Sequence, residues 1–282
     1  MAKRATGWNE EKFKRYIDEG RGKGEGSKYK PWKFIQDFPS MGRCSRILGW
    51  KTGRVHHLFS DIESRFFYLM EWENQVEDIR ETFPLLDIED VIKDKDNLRL
   101  DLFKDKESGI PYVLTTSFLI TLKENGKYKY IARSIKSASE LEKKITMEKY
   151  EIEKRYWRNK NVDWGIITQK ELSIIKAKNI EWVHTTLYST DERGFSDVDI
   201  KEMGDLLIDV MMINDMPVRV TMTNFDKEYN LPQGSALFIF KYLIASKKII
   251  VDMEKEIDIN CIGREIILEI KERMERSYGV GS

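Results

Sequence analysis

The pair Asn125-Gly126 constrains the fold of this chain more than any other local feature of its sequence. It lies between two runs of strand-forming residues, and Asn-Gly is the pair most favoured in a two-residue type I′ turn. The chain is therefore predicted to double back here as a β-hairpin, with Glu124 opposite Lys127.

The register of this hairpin predicts a small polar cluster. It places Ser117 opposite Ser134 and Thr115 opposite Lys136, and because side chains alternate along a strand, all four share one face. A lysine beside small polar residues is unusual on a surface that serves only solubility. The other face is expected to point to the core, with Phe118, Ile120 and Leu122 opposite residues such as Ile131.

A helix is predicted to begin after Ser60, upstream of the hairpin. Ser60 and Glu63 have the spacing of a capping box, in which the serine oxygen and the glutamate bind open amides of the first turn. Glu63 lies beside the apolar stripe, so it is either only a cap or also a functional carboxylate, and Glu73 lies at the other end. The residues expected on the buried face are Ile62, Phe66, Leu69 and Met70.

The remaining pattern predicts a mixed α/β domain over residues 1–168. We expect helices over residues 8–19 and 139–159, a flexible basic turn over 21–26, and a buried strand over 162–168. A strand is expected to end near Pro84, or to lie at a sheet edge there. Residues 87–108 are expected to form an exposed excursion in which LRLDLF is a short strand.

A second domain is predicted over residues 169–282. Helical patterns around 200–211 and 235–246 precede KKIIVDMEKEIDI, which is typical of two strands with a charged tip. REIILEIKER is expected to be a closing helix. Helices followed by a small two-stranded wing indicate a winged-helix-like domain.

The formal net charge of zero hides an asymmetry between the two ends of the chain. Residues 1–57 hold 14 Lys/Arg against six Asp/Glu, an excess of eight positive charges that the rest of the chain balances. This pattern indicates either a polyanion partner at the N-terminal end or a solvated basic surface. The residues expected to contact the phosphates of such a partner are Arg43, Arg46, Lys51, Arg54, His56 and His57.

Composition excludes several other classes. Cys44 and Cys261 are too few for a disulfide framework or a CxxC zinc motif and are expected to be free thiols. The sequence contains no apolar run long enough for a transmembrane helix and no signal-peptide pattern, so we expect a cytoplasmic protein without a membrane partner.

Several segments together resemble the TnsA-type endonuclease subunits of heteromeric Tn7-like transposases, whose nuclease fold is restriction-endonuclease-like. The most specific segments are KTGRVHH at 51–57, DIRETFPL at 78–85 and EIEKRYW at 151–157. PW at 31–32, MEWE at 70–73, FLI at 118–120, IK at 135–136 and NIEW at 179–182 add to them. The resemblance implies a bacterial, nucleoid-associated protein that cuts the five-prime, non-transferred strands at transposon ends with Mg²⁺, for which Mn²⁺ would substitute. The implied partners are DNA, a TnsB-type transposase and, through the C-terminal region, a TnsC-type AAA+ ATPase.

The resemblance also implies roles for individual residues. Glu63 matches a catalytic metal ligand and Lys136 the catalytic lysine, whereas Ser117 stands where the family has a catalytic aspartate and Ser134 where it has an acid or glutamine. The implied metal-binding positions are Glu63, Glu73, Ser117, Ser134, Ile135 and Glu153.

The two serines leave three functions open. A neighbouring carboxylate (Glu73, Glu153 or Asp101) completes an active nuclease; or the chain is a catalytically degenerate DNA-binding and bridging subunit; or it is a restriction-type nuclease with a winged-helix targeting domain.

Overall fold

A computed structural model describes residues 7–37, 43–190 and 194–271 of the chain. The chain divides into two compact units, Met1–Leu172 and Ser173–Ser282. The boundary expected from the sequence lies after residue 168.

The first unit is built on a four-stranded sheet with the order β3-β4-β5-β6. Its strands are β3 (Val76–Pro84), β4 (Thr115–Glu124), β5 (Lys127–Ile135) and β6 (Asp163–Ile167). The first three are antiparallel neighbours, and β6 pairs parallel to β5. A separate ribbon joins β1 (Ser45–Leu48) to β2 (Val55–Leu58), and the helices are α1 (Glu10–Asp18), α2 (Asp61–Trp72), α3 (Ile88–Val91) and α4 (Lys144–Asn159). The predicted mixed α/β class is confirmed.

The hairpin forms in the predicted register, because Asn125 and Gly126 adopt positive φ angles of 50° and 78°. Pairing runs from Glu124–Lys127 to Phe118–Arg133. The ladder then changes, since the Ser117 hydroxyl accepts a hydrogen bond from the Ile135 amide. The Ser134 side chain shares its surroundings with Thr116 and not with Ser117, because the Ser134 and Thr116 hydroxyls both donate to Glu153, so the expected pairing of the two serine side chains is not formed.

Both faces of the sheet are covered, and this explains why the strands are apolar on both sides. Phe118 packs against Phe66 of α2, with ring centroids 5.1 Å apart. On the other face, a second cluster places Leu119 and Ala132 with Trp157 of α4. The predicted burial of Phe118 and Ile120 is confirmed, and Leu122 is only half-buried.

Three local predictions for this unit are wrong. Of the four residues predicted on the buried face of α2, Phe66 alone is fully buried, whereas Ile62, Leu69 and Met70 are half-buried. The other buried residues of α2 are Ser64, Phe67, Tyr68 and Glu71. LRLDLF forms a 3-10 helix over Leu100–Phe103, and the stretch around it contributes the fully buried Ile92 to the core. The RGKGEG segment is anchored, because the buried Arg21 pairs with Asp37.

The second unit contains a helical group followed by a two-stranded antiparallel sheet. Its elements are α5 (Ile174–His184), α6 (Asp197–Ile213), α7 (Val218–Glu228), α8 (Ser235–Ala245), β7 (Ile249–Val251), α9 (Gly263–Ile266) and β8 (Ile267–Ile270). β7 pairs with β8. The closing helix predicted over 264–273 is limited to the short α9, because Ile267–Ile270 form the strand that completes this sheet, and residues 272–273 lie outside the described residues.

Within the described ranges, the structure contains no helix that combines the length and apolarity needed to cross a bilayer. Cys44 and Cys261 are free thiols, as predicted.

Candidate functional site

A pocket of 510 Å³ brings together the start of α2, the ends of β4 and β5, and α4. Glu63, Ser117, Ile135 and Lys136 all line it. We call it the Glu63 pocket. Four residues predicted from separate parts of the sequence therefore meet in one cavity.

Glu63 lies in the first turn of α2, which Ser60 caps, and its carboxylate lines the pocket. Its amide donates to the Ser60 hydroxyl at 3.2 Å, and its carboxylate accepts from the Phe59 amide at 2.6 Å. Burial raises the pKa of Glu63, and this is opposed by the Phe59 amide and by the nearby ammonium groups of Lys33, Lys136 and Lys149. A raised pKa makes the carboxylate a better proton acceptor.

Two lysines that sequence reasoning missed also line the pocket, Lys33 and Lys149. Thr82 positions Lys33, because the Lys33 amide donates to the Thr82 hydroxyl at 3.2 Å. The Thr82 backbone has a positive φ of 45°. Lys149 lies one helical turn before Glu153 and donates to the Thr115 carbonyl at 2.8 Å. The four-residue spacing between Lys149 and Glu153 on α4 is a sequence feature that could have indicated Lys149 as a site residue. For Lys33, the sequence feature at hand was the neighbouring PW motif.

The three ammonium groups make the pocket electropositive. Burial, and then repulsion from Lys149 and Lys136, lowers the pKa of Lys33 to about 8, against attraction from Glu63 and Glu153. Lys136 follows β5 and lies 3.8 Å from Glu140, with its side chain partly exposed. Such a cavity favours an anion such as a phosphodiester.

Glu153 and Ser134 lie in a buried cluster beside the pocket. The Glu153 carboxylate accepts from the Ser134 hydroxyl at 2.5 Å and from the Thr116 hydroxyl at 2.8 Å, and it lies 2.7 Å from the Lys149 ammonium. Trp164 donates to Ser134 at 3.1 Å. These contacts engage Glu153 as a buried counter-charge for Lys149.

The other carboxylates considered from the sequence do not reach the pocket lining. Glu73 caps the far end of α2 and is exposed, and Asp101 is exposed and pairs with Arg99 at 3.2 Å. Neither supplies the carboxylate that Ser117 lacks.

The donor set does not fit a resident Mg²⁺ ion. Mg²⁺ prefers carboxylate oxygens, yet among the described residues Glu63 is the single carboxylate that lines the pocket. It lies there with three lysines, and the Ser117 hydroxyl already accepts a hydrogen bond. In the part of the chain that the structure describes, no group of three His, Cys, Asp or Glu side chains could hold a metal ion.

The predicted DNA-contacting residues separate into different environments. Arg43 and Arg46 are exposed. Lys51 is half-buried and donates to the Glu73 carbonyl at 2.9 Å. His57 is half-buried, and its Nδ1 accepts from the Ile35 amide at 3.3 Å.

Arg54 and His56 are corrections to that prediction. Arg54 donates to both Glu81 carboxylate oxygens, at 2.8 and 2.6 Å, and the His56 Nδ1 lies 2.9 Å from the same carboxylate. The Arg54 side chain is 9% exposed and that of Glu81 is 1% exposed. The buried Glu81 carboxylate therefore engages both Arg54, as an ion pair, and the His56 ring, and neither is available to a DNA phosphate.

Comparison with known proteins identifies the class. Residues 73–169 match the family model described as TnsA-like endonuclease N terminal, and residues 171–253 match TnsA endonuclease C terminal. The transposon Tn7 transposition protein TnsA of Escherichia coli is 35% identical over 276 residues, which are 95% of this chain and 97% of that protein.

The fold, the pocket and these matches together define an endonuclease subunit of a transposase. At this identity and coverage, the chain belongs to the TnsA family. The family assignment decides against a restriction-type nuclease.

Proposed function

We propose that this protein cuts the five-prime, non-transferred strands at transposon ends. The observation that carries the proposal is the Glu63 pocket, in which Glu63 and Lys136 meet Lys33 and Lys149. A phosphodiester needs neutralisation of its developing negative charge and a base for the attacking water, and the pocket offers both.

The chemistry follows from the charges of these residues. Lys136 and Lys149 would bind the non-bridging phosphate oxygens, and Glu63 would accept a proton from the water whose oxygen bonds to phosphorus. As the bond from phosphorus to the leaving oxygen breaks, Lys33 would donate a proton to that oxygen, because its pKa of about 8 permits the transfer near neutral pH.

The finer architecture and the partners belong to the same proposal. A mixed sheet between helices supports a restriction-endonuclease-like core over the first unit. Helices α6 to α8 followed by the β7–β8 pair support a winged-helix-like second unit. We assign the partners as transposon-end DNA, a TnsB-type transposase and, through the C-terminal region, a TnsC-type ATPase.

A second candidate is a bridging subunit that binds DNA without cutting it. Two observations favour it: serines at positions 117 and 134, and a pocket with more lysines than carboxylates. Such a pocket would hold a phosphate but would not retain a divalent cation.

The test incubates the full chain with its partner transposase and transposon-end DNA in Mg²⁺, Mn²⁺ or a chelator, with strand-resolved detection of nicks. We expect five-prime-strand nicks that fall about a hundredfold in Lys136→Ala and Glu63→Gln. Lys106→Ala is the matched control, since Lys106 is exposed and does not line the pocket. End binding without nicks in either metal would refute cleavage and support the bridging role.

A further inference from the structure

A second, larger cavity lies beside the Glu63 pocket and has no role in the proposed cleavage. It has a volume of 970 Å³ and runs between β5, α4 and the segment that leads into β6. β6 pairs with β5 only from Ile131 onwards, so residues 127–130 extend past it and form one wall. We call this cavity the tyrosine groove.

Two tyrosines that line this groove are exposed to solvent. Tyr128 is 62% exposed and Tyr130 is 41% exposed, although tyrosine usually buries much of its ring. Arg80 lies 5.4 Å from the Tyr130 ring and Lys123 lies 5.9 Å from the Tyr128 ring, which restrains both.

The inner wall of the groove consists of packed aromatic rings. Trp164 and Tyr150 pack with ring centroids 6.0 Å apart, and the Trp164 indole is held by its hydrogen bond to Ser134.

The charged residues of the groove leave an excess of positive charge. Lys129, Lys154 and Arg158 line it, are exposed, and have no ion-pair partner among the described residues. The carboxylates that line it are already paired: Glu151 with Arg155 at 2.9 Å and Asp163 with Arg133 at 2.6 Å.

We propose that the tyrosine groove binds an unpaired strand of DNA that continues from the phosphate in the Glu63 pocket. Tyrosine faces stack on bases only when the bases are released from a duplex, and the three free cations fit the phosphates between them. Tyr150 lines both cavities, which makes them neighbours on α4, and the proposal places consecutive nucleotides of one strand in the two. The inference deepens the proposed function and rests on it only for the path of the strand.

The test uses the full chain and a fluorescent oligothymidylate of about twelve nucleotides, with a blunt duplex of the same length for comparison. Tyr128→Ala and Tyr130→Ala should each weaken oligothymidylate binding about fivefold or more, and blunt-duplex binding much less. Tyr128→Phe and Tyr130→Phe keep the ring and should bind like wild type.

The charged residues have their own readout. The double variant Lys154→Ala/Arg158→Ala should reduce the slope of log affinity against log salt by about 1.4, because each phosphate contact contributes about 0.7 for a single strand. Lys93→Ala/Lys106→Ala removes two exposed lysines outside the groove and should leave the slope unchanged.

The outcomes separate this inference from cleavage itself. Equal oligothymidylate affinities in the alanine and phenylalanine variants, or no binding by wild type, overturn it while nicking can still occur. Tyrosine-dependent binding by a protein that never nicks supports the groove and refutes the cleavage proposal. Lys136→Ala should lose nicking and keep tyrosine-dependent binding.

Discussion

Arg54→Ala is predicted to destabilise the protein without changing its DNA contacts. Arg54 makes two bonds to the Glu81 carboxylate and a third to the Ile79 carbonyl at 2.8 Å. Although burial alone would raise the pKa of Glu81, His56 and Arg54 hold it well below its usual range. Without the guanidinium, a buried carboxylate loses its main counter-charge.

The magnitude follows from this geometry. Breaking a buried ion pair costs about 3–5 kcal/mol, and we expect about 3 kcal/mol because the His56 ring and the His57 amide still bond to Glu81. A loss of that size lowers the midpoint of urea unfolding by roughly 1–3 M. Tryptophan fluorescence reports on this unit, since six of the seven tryptophans lie within residues 1–172.

Arg46→Ala is the matched control. Arg46 is exposed on β1, so its loss should change stability by less than about 0.5 kcal/mol and reduce the salt slope of DNA binding by about one. The reasoning is refuted if Arg54→Ala unfolds at the wild-type urea concentration, or if it, rather than Arg46→Ala, reduces the salt slope.

Three further predictions concern the pocket and the second unit. A lysine with a pKa of about 8 loses its charge as the pH rises through that value, so the charged fraction of Lys33 drops from about 0.9 at pH 7 to about 0.1 at pH 9. The affinity for transposon-end DNA and the rate of nicking should fall over the same range. Lys33→Arg, which stays charged, should flatten this profile, and an unchanged profile would contradict a role for Lys33. Ser117→Asp should increase the Mn²⁺ affinity measured by calorimetry and strengthen nicking, because it adds a carboxylate to the pocket that Glu63 lines. Ser117→Asn is the neutral control. Equal Mn²⁺ affinities in the two variants would show that the missing carboxylate does not limit metal binding. Asp226→Ala should destabilise the second unit by about 1–2 kcal/mol, because the Asp226 carboxylate accepts from the Gly234 and Ala236 amides at the start of α8, both at 2.7 Å. Asp226→Asn retains an acceptor and should lose less in urea unfolding followed at Trp182, and equal losses would point to a role other than capping.

Local features were predictable because short-range chemistry decides them. The Asn125-Gly126 turn requires two positive φ angles that few residue pairs adopt, and the Ser60 cap satisfies amides three residues away. Pro84 lacks an amide donor and ends β3, an edge strand of the sheet. These signals also led to Glu63 and Lys136.

Periodicity was less reliable where the partner is distant in sequence. The residues of β8 alternate too weakly to be told from a short helix, and their pairing with β7 decides the outcome. The Ser117–Ser134 prediction failed for a similar reason: it extended a regular ladder past the point where the Ser117 side chain binds the backbone of β5.

The sequence by itself therefore determined the hairpin, the capped helix, the mixed α/β class and the two residues from which the nuclease interpretation began. Only the tertiary structure decided which charged residues line the pocket and which are buried in ion pairs: it brought Lys33 to the Glu63 pocket through Thr82, and it buried Arg54 and His56 against Glu81. The physical reason is that a charged side chain in a sequence shows its chemistry but not its counter-charge, and burial forces that pairing between residues far apart in the chain.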